Sequence, residues 1–287
     1  MVDADILRLA AGPACFELTS PDPAALDRAR VVLGPWLNGA FGPHPPRARF
    51  RVEAHGSEAS GRWRVTRDGQ EAAIVDSLDL ALAAVEYRAT AELLDPETGV
   101  VALHAALLSK GGRGVLLVGP KEAGKSTLAC ALWRSGWQLH SDDSARIEDG
   151  HRALGIPRRV SLRAASRDLL GAELWERIAY LPATTRTSAG LLFHPGEMSP
   201  CETPAGVQVT AVMFLARRGS TAGAAEAERL DAGRALLALG PYCHRRDAGI
   251  GGALQALQPL ADRVPAYDLG RGDLAAMVQR IEEVVAT

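Results

Sequence analysis

A chain of 287 residues that carries 32 basic and 34 acidic side chains, with no block of Lys or Arg, is not built as a general nucleic-acid binder. Hydrophobic residues at 47% and charged residues at 23% describe a globular protein, long enough for one large domain or two modest ones. No apolar run reaches membrane-spanning length, and the opening MVDADILRLAAG has early acids and too short an apolar run for a signal peptide, so a cytoplasmic protein without a membrane partner is expected. The cysteines Cys15, Cys130, Cys201 and Cys243 show no CxxC pair and no zinc spacing, and read as reduced thiols. Cys243-His244 has no second cluster to complete a metal site.

In chain order, PACFELTS reads as a strand and PDPAALDRARVVLGPWL as a helix begun by Pro23 and stopped near Gly34-Pro35. NGAFGPHPPRAR is a Gly/Pro-rich loop. RFRVEAH and GRWRVTRDGQEAAIVDS are strand-like, with Asp68-Gly69 supplying a hairpin turn, and LDLALAAVEYRATAELL has apolar residues at helical spacing. DPETG at 95–99 marks a boundary, giving a small α+β domain over 1–98 and a second domain over 99–287. The first domain either covers one face of the core or presents an extended peptide by main-chain pairing.

The second domain opens with VVALHAALLS and GRGVLLVG, two apolar strands about the Lys110–Arg113 turn, the latter reading as buried on both faces. A helix follows, ending near Gly136. WQLHSDD and ARIEDGHRAL are further strands, the latter turning at Asp149-Gly150. VQVTAVMFLARR reads as a central strand, GSTAGAA as a loop and DAGRALLAL as a helix. VPAYDL is a last strand, before an amphipathic helix capped by Asp273. The expected class is α/β with a mixed sheet.

Gly119-Pro120-Lys121-Glu122-Ala123-Gly124-Lys125-Ser126 fits G-x-x-x-x-G-K-[ST], with a strand before it and a helix after it. Glycines let successive N–H groups converge on phosphates, and the helix dipole adds to that field. Lys125 is expected to reach the β- and γ-phosphates of a nucleotide and the Ser126 hydroxyl to ligate Mg²⁺.

Asp142 and Asp143 follow after one helix and one short strand. A kinase acting on an alcohol needs an acceptor for the hydroxyl proton and a carboxylate for the metal, and successive residues of a strand face opposite sides. Local sequence leaves the pair open between these roles and a solvated strand-to-turn junction. His104, on the strand before the P-loop strand, favours catalysis, because an imidazole bonded to a carboxylate orients and polarises a base. Among the arginines that follow, Arg158, Arg159, Arg163 and Arg186, the expected phosphate-charge partners are Arg163 and Arg186.

LHA together with GRGVLLVGPKEAGKSTLACALWRSGWQLHSDD resembles the bacterial HPr kinase/phosphorylase family, most closely over 100–145 and more weakly to the C-terminus. The resemblance implies a P-loop kinase core akin to phosphoenolpyruvate carboxykinase and Mg-ATP-dependent phosphoryl transfer to a serine hydroxyl. It implies Asp142 as catalytic base, contacted by His104, with Lys125 on the phosphates. Asp143 with Ser126 stands on the metal side, and the loop residues up to Thr127 hold the nucleotide. Thr127 replaces the family's acidic residue, and Ser161 stands where its signature Glu is expected. The chain is therefore more similar to the divergent HPr-kinase-related proteins, which include kinases that tailor ribosomally made peptides such as lasso precursors. A peptide or small-protein acceptor is expected, and a homo-oligomer is left open. Alternatives are a kinase of a small-molecule hydroxyl, an HPr serine kinase proper, and a nucleotide-sensing module without turnover.

Overall fold

The computed structural model of the chain describes all residues except 1–5, 12–13, 38–44, 57–59, 95–100, 157, 198–205, 216–224, 245–248 and 287. Outside the described residues lie most of the Gly/Pro-rich loop, the boundary segment 95–99, nearly all of GSTAGAA, and Cys201. Internal contacts divide the chain into two units, Met1–Leu93 with Ala179–Arg186, and Leu94–Ile178 with Thr187–Thr287. The sequence reading leaves 179–186 with the second domain.

The first unit is an α+β layer pair. β1 (Ile6–Ala11) and β2 (Ala14–Thr19) are antiparallel, β3 (Ala48–Ala54) joins β2 in parallel, and β4 (Trp63–Arg67) and β5 (Gln70–Val75) complete the sheet antiparallel. Asp68 and Gly69, both at positive φ (50° and 80°), make the β4–β5 turn, as a two-residue primed hairpin requires. On β3, Ala48, Phe50 and Val52 are buried while Arg49 and Arg51 are exposed, so one face is apolar and the other charged. The apolar face packs α1 (Pro23–Val32), α2 (Gly34–Leu37) and α3 (Leu78–Leu93). Asp22 caps α1 by accepting from Ala24 N at 2.9 Å, ahead of Pro23. Past Leu33 the chain takes one more helical turn, α2, and buries Trp36 edge-on to Phe16, with ring centroids 6.3 Å apart. On the charged face Arg49 pairs with Glu17 and Arg51 with Glu53. The segment 179–186 is tied in through Arg28, which holds both oxygens of Asp79 at 2.7 Å and donates to the Pro182 carbonyl at 2.6 Å.

The second unit begins with β6 (Val101–Leu103), β7 (Ala105–Lys110), β8 (Arg113–Val118), α4 (Lys125–Arg134), β9 (Gln138–Ser141), β10 (Ala145–Glu148) and β11 (Arg152–Gly155). Next come β12 (Val160–Arg163), α5 (Ser166–Leu170), α6 (Ala172–Ala179), β13 (Thr185–Thr187), where the chain returns from the first unit, and β14 (Gly190–Phe193). The chain ends with β15 (Val207–Leu215), β16 (Ala227–Leu230), α7 (Ala232–Leu239), α8 (Gly249–Arg263), β17 (Ala266–Leu269) and α9 (Leu274–Ala286).

The main sheet has the order β6-β10-β11-β15-β8-β7-β9. β17 lies parallel to β15, and β16 antiparallel to β17. It is the mixed sheet of an α/β protein. β15 runs parallel to both β8 and β17, and Val115 to Val118 of β8 are fully buried, as an uninterrupted apolar strand between covered faces must be. The core on one side gathers Leu103, Leu107, Leu116, Val212, Leu257 and Leu260. β12 and β14 pair antiparallel beside it. Among the described residues no helix is long and apolar enough to cross a membrane.

Asp273 caps α9 by accepting from Ala276 N at 2.7 Å, and Met277, Ile281 and Val285 form its buried stripe. On the flank of that stripe Glu282 accepts from Lys110 Nζ at 2.7 Å and Trp137 Nε1 at 3.2 Å, joining α9 to the β7–β8 turn and the end of α4. The Lys110 hydrogen bond, followed by that from Trp137 against some desolvation, holds the Glu282 carboxyl below its ordinary 4.5. A depressed carboxyl pKa stabilises the fold above the unfolded value and loses that contribution as pH falls through the folded one. Glu282→Gln should therefore cost about 0.2–1 kcal/mol at neutral pH, as for a part-exposed ion pair. In urea unfolding, the gap from wild type should close below pH 4.5; a pH-independent gap would mean the charge is not what holds α9.

Candidate active site

The register of β7 decides where the chemistry sits. Ala105 lies opposite Val118 in the β7–β8 ladder, so His104, one residue before β7, falls beside Gly119, one residue after β8. On the other edge of β7, Leu107 lies opposite Ser141, so β9 ends next to the start of β7 and delivers Asp142 and Asp143 to the same place. The turn from β8 into α4 needs its glycines. A Cβ on Gly119 would come within 3.0 Å of the Leu215 carbonyl oxygen on the neighbouring strand, and Gly124 enters the helix at φ 95°.

Lys125 is buried, and its ammonium makes contacts with the Gly119 carbonyl at 2.6 Å, the Pro120 carbonyl at 3.2 Å and His104 Nε2 at 3.1 Å. An ammonium only donates, so Nε2 of His104 accepts and Nδ1 carries the proton. That Nδ1 stands 3.2 Å from Asp143 Oδ1, and Arg158 Nη1 stands 2.9 Å from Asp143 Oδ2. Burial lowers the pKa of Lys125 and of His104, against the pull of Asp143 in both cases. Neutral His104 thus bridges the P-loop lysine and one carboxylate.

The second carboxylate is buried. Asp142 is 3% exposed and its Oδ2 accepts from Ser126 Oγ at 2.8 Å and from the main-chain N–H of Ser161 at 3.1 Å. Burial, then the neighbouring charge of Asp143, raise its pKa to about 6 against the opposing effects of Arg158 and the two hydrogen bonds. The expected contacts are thereby exchanged: His104 touches Asp143 rather than Asp142, and the P-loop hydroxyl touches Asp142 rather than Asp143. The physical reason lies at the end of β9, where consecutive side chains turn to opposite sides and the first of the pair faces inward, under α4.

Ser126 and the two aspartates offer hard oxygen donors, which suit Mg²⁺, and a cation beside them would relieve the charge crowding that raises Asp142. Among the described residues no group of three or more His, Cys, Asp or Glu side chains forms a metal cage. Mg²⁺ held by one or two protein oxygens plus phosphate oxygens and water needs none.

The other expected residues are dispersed. Glu122, at φ 72° in the loop, pairs with Arg163 of β12 at 2.9 Å, so that arginine does reach the P-loop tip. Lys121 is exposed, and Ala123 is buried against the loop. Thr127 shares a 2.7 Å hydrogen bond with Ser166 at the start of α5. Arg186 belongs to the first unit, where it donates to the Ala179 carbonyl and lies over the Tyr180 ring, 5.0 Å from its centroid. Arg158, which is not among the expected phosphate partners Arg163 and Arg186, meets Asp143 of the pair. The Ser161 amide is a donor that side-chain chemistry alone does not suggest.

No family model matches the chain, and no curated protein does. Among solved structures, the Hpr(Ser) kinase/phosphatase from Coxiella burnetii matches at 14% identity with a TM-score of 0.33, covering 63% of this chain and 94% of that one.

Removing the Ser126 hydroxyl leaves the buried Asp142 carboxylate with one described hydrogen bond fewer. Ser126→Ala should therefore lower the unfolding free energy at neutral pH by about 1.5–3 kcal/mol, as for the loss of a hydrogen bond to a charged group. Urea unfolding of the nucleotide-free protein measures this, and an unchanged midpoint would mean the bond contributes nothing.

Proposed function

We propose that this protein is an Mg-ATP-dependent phosphotransferase that acts on an alcohol, with the serine hydroxyl of a peptide or small protein as acceptor. One observation carries the reading: a P-loop lysine and a second carboxylate, Asp143, are joined through a single neutral imidazole, while the first carboxylate, Asp142, is buried against the P-loop serine. Holding a nucleotide requires the lysine and the serine; it does not require a partly exposed carboxylate oriented by a histidine. A pure sensing module has no use for that arrangement.

The geometry supports a division of roles. The loop N–H groups and Lys125 bind the β- and γ-phosphates, with Lys125 exchanging its contacts to the loop carbonyls for phosphate oxygens. Ser126 and Asp142 would hold Mg²⁺, which when bound neutralises charge on the phosphate oxygens. Asp143, with a side chain 34% exposed, is the carboxylate an incoming hydroxyl can reach. It accepts the hydroxyl proton as the acceptor oxygen bonds to the γ-phosphorus and the bond to the ADP oxygen breaks. His104 and Arg158 hold Asp143 in place, and Arg163, freed from Glu122, would add positive charge at the transferring group.

The finer reading, a kinase that tailors a ribosomally made precursor peptide in the cytoplasm, rests on the sequence resemblance and on the absence of the family's signature Glu at Ser161. Buried Cys15 and Cys130, both free thiols, fit a reducing compartment.

Lys125→Ala should weaken MgATP binding at least roughly tenfold in calorimetric titration, because the phosphates lose their main cation. Undiminished affinity would remove the loop from nucleotide binding.

Asp143→Asn should slow ATP consumption by about 10²-fold or more with MgATP affinity preserved, since it removes a proton acceptor. Asp142→Asn should instead shift the Mg²⁺ dependence to higher concentration. Identical magnesium titrations for the two variants would sink the division of roles. With γ-labelled ATP and seryl peptides, label should appear as phosphoserine; label in inorganic phosphate alone would exclude the peptide acceptor.

A further inference from the structure

The segment joining α7 to α8 carries a histidine that the mechanism above does not use. Cys243 faces Leu103 in an isolated antiparallel bridge, with His104 N donating to the Tyr242 carbonyl at 2.7 Å and His244 N donating to the Ala102 carbonyl at 2.9 Å. Side chains alternate across such a pair, so Leu103 and Cys243 share the core face while His104 and His244 share the opposite one. There the two imidazoles meet edge to face, with centroids 6.2 Å apart and planes at 83°.

Both ring nitrogens of His104 are already engaged, Nδ1 by Asp143 and Nε2 by Lys125. The ring is tethered at Cβ and turns on two side-chain torsions, which these contacts restrain only as far as the two bonds hold. The His244 ring adds a contact on the ring itself that limits the same torsions. The main-chain bonds on either side of Cys243 hold that third contact rigidly to the strand that carries His104.

We propose that His244 is a positioning residue of the phosphotransfer site: its ring fixes the plane of the His104 imidazole, and through it the aim of the Asp143 carboxylate. The proposal rests on the phosphotransfer reading for its functional consequence, and on the ring contact alone for its structural one. His244 touches no reacting atom in this arrangement, and the contribution proposed for it is the shape of its ring, which Phe retains.

His244→Phe keeps a flat ring and removes both nitrogens; His244→Ala removes the ring. Imidazole ¹⁵N correlation spectra of the nucleotide-free protein, recorded at about pH 8.5 where histidines are neutral, report the tautomer of His104. The Lys125 and Asp143 contacts set that tautomer, so it averages only if the ring pivots away from them: wild type and His244→Phe should show a single Nδ1–H form, and His244→Ala an averaged one. ATP consumption should fall roughly tenfold in His244→Ala, as for a loss of orientation, with the KM for MgATP within about twofold, and recover in His244→Phe to within about threefold. MgADP titration confirms that both variants are folded. A wild-type His104 spectrum in His244→Ala would overturn the proposal. So would a His244→Phe as slow as His244→Ala, which would assign the role to a ring nitrogen. The spectra need no turnover, so a wild-type protein inert toward ATP would overturn the phosphotransfer reading while the tautomer comparison still decides the contact.

Discussion

The site exists because β7 is paired on both edges. Its antiparallel ladder with β8 sets His104 against the P-loop, and its ladder with β9 brings the aspartates alongside, Asp143 against His104. Because side chains alternate with a period of two, a slip of one residue in either ladder would turn the participating side chains to the other face. What prevents the slip between β7 and β8 is their turn: Lys110 lies opposite Arg113 across a two-residue hairpin in which Gly111 and Gly112 both take positive φ. The geometry of the candidate site is thus set in part by two glycines at the far end of the strand.

Within that frame, two adjacent carboxylates are separated by environment rather than by chemistry. Asp142 lies out of water, held by a hydroxyl and an amide, and its proton affinity rises accordingly. Asp143 stands partly in solvent between an imidazole and a guanidinium. Higher proton affinity would by itself nominate Asp142 as the base. The proposed function assigns that role to Asp143 on grounds of access, because a carboxylate that a hydroxyl cannot approach cannot take its proton, and a cation beside Asp142 would reverse the effect of burial.

Much of this could be read from the chain. The turns at Asp68-Gly69, Gly111-Gly112 and Asp149-Gly150 all adopt positive φ, and residues that tolerate it leave a visible trace in composition. The apolar run of β8, the glycine loop and the helix after it form one contiguous signal, and β15 was legible as a central strand from its unbroken hydrophobicity. Residues 160–193 were not, because their strands are only three or four residues long, too short for a period to show. α8 escaped notice for a different reason: it opens on Gly249, Gly251 and Gly252 and contains Pro259, so its helicity comes from packing of Ala253, Leu257 and Leu260 rather than from propensity. The partners of Asp142 and Asp143 were hidden because they depend on which way the last residues of β9 turn. Arg158 was hidden because the reach of a long side chain is a tertiary property.

The chain passes between its two units at residues 93–94, 178–179 and 186–187. The short excursion over 179–186 brings Pro182 and Thr185 to Arg28 and Asp79, so the first unit is assembled from pieces distant in sequence. Modularity is limited as a result. No single cut frees either unit intact, and a chain emerging from the ribosome cannot complete the first until Leu94–Ile178 of the second has been made. Exchange of the N-terminal region by recombination would have to carry a second, eight-residue patch along with it, which couples the inheritance of the two parts.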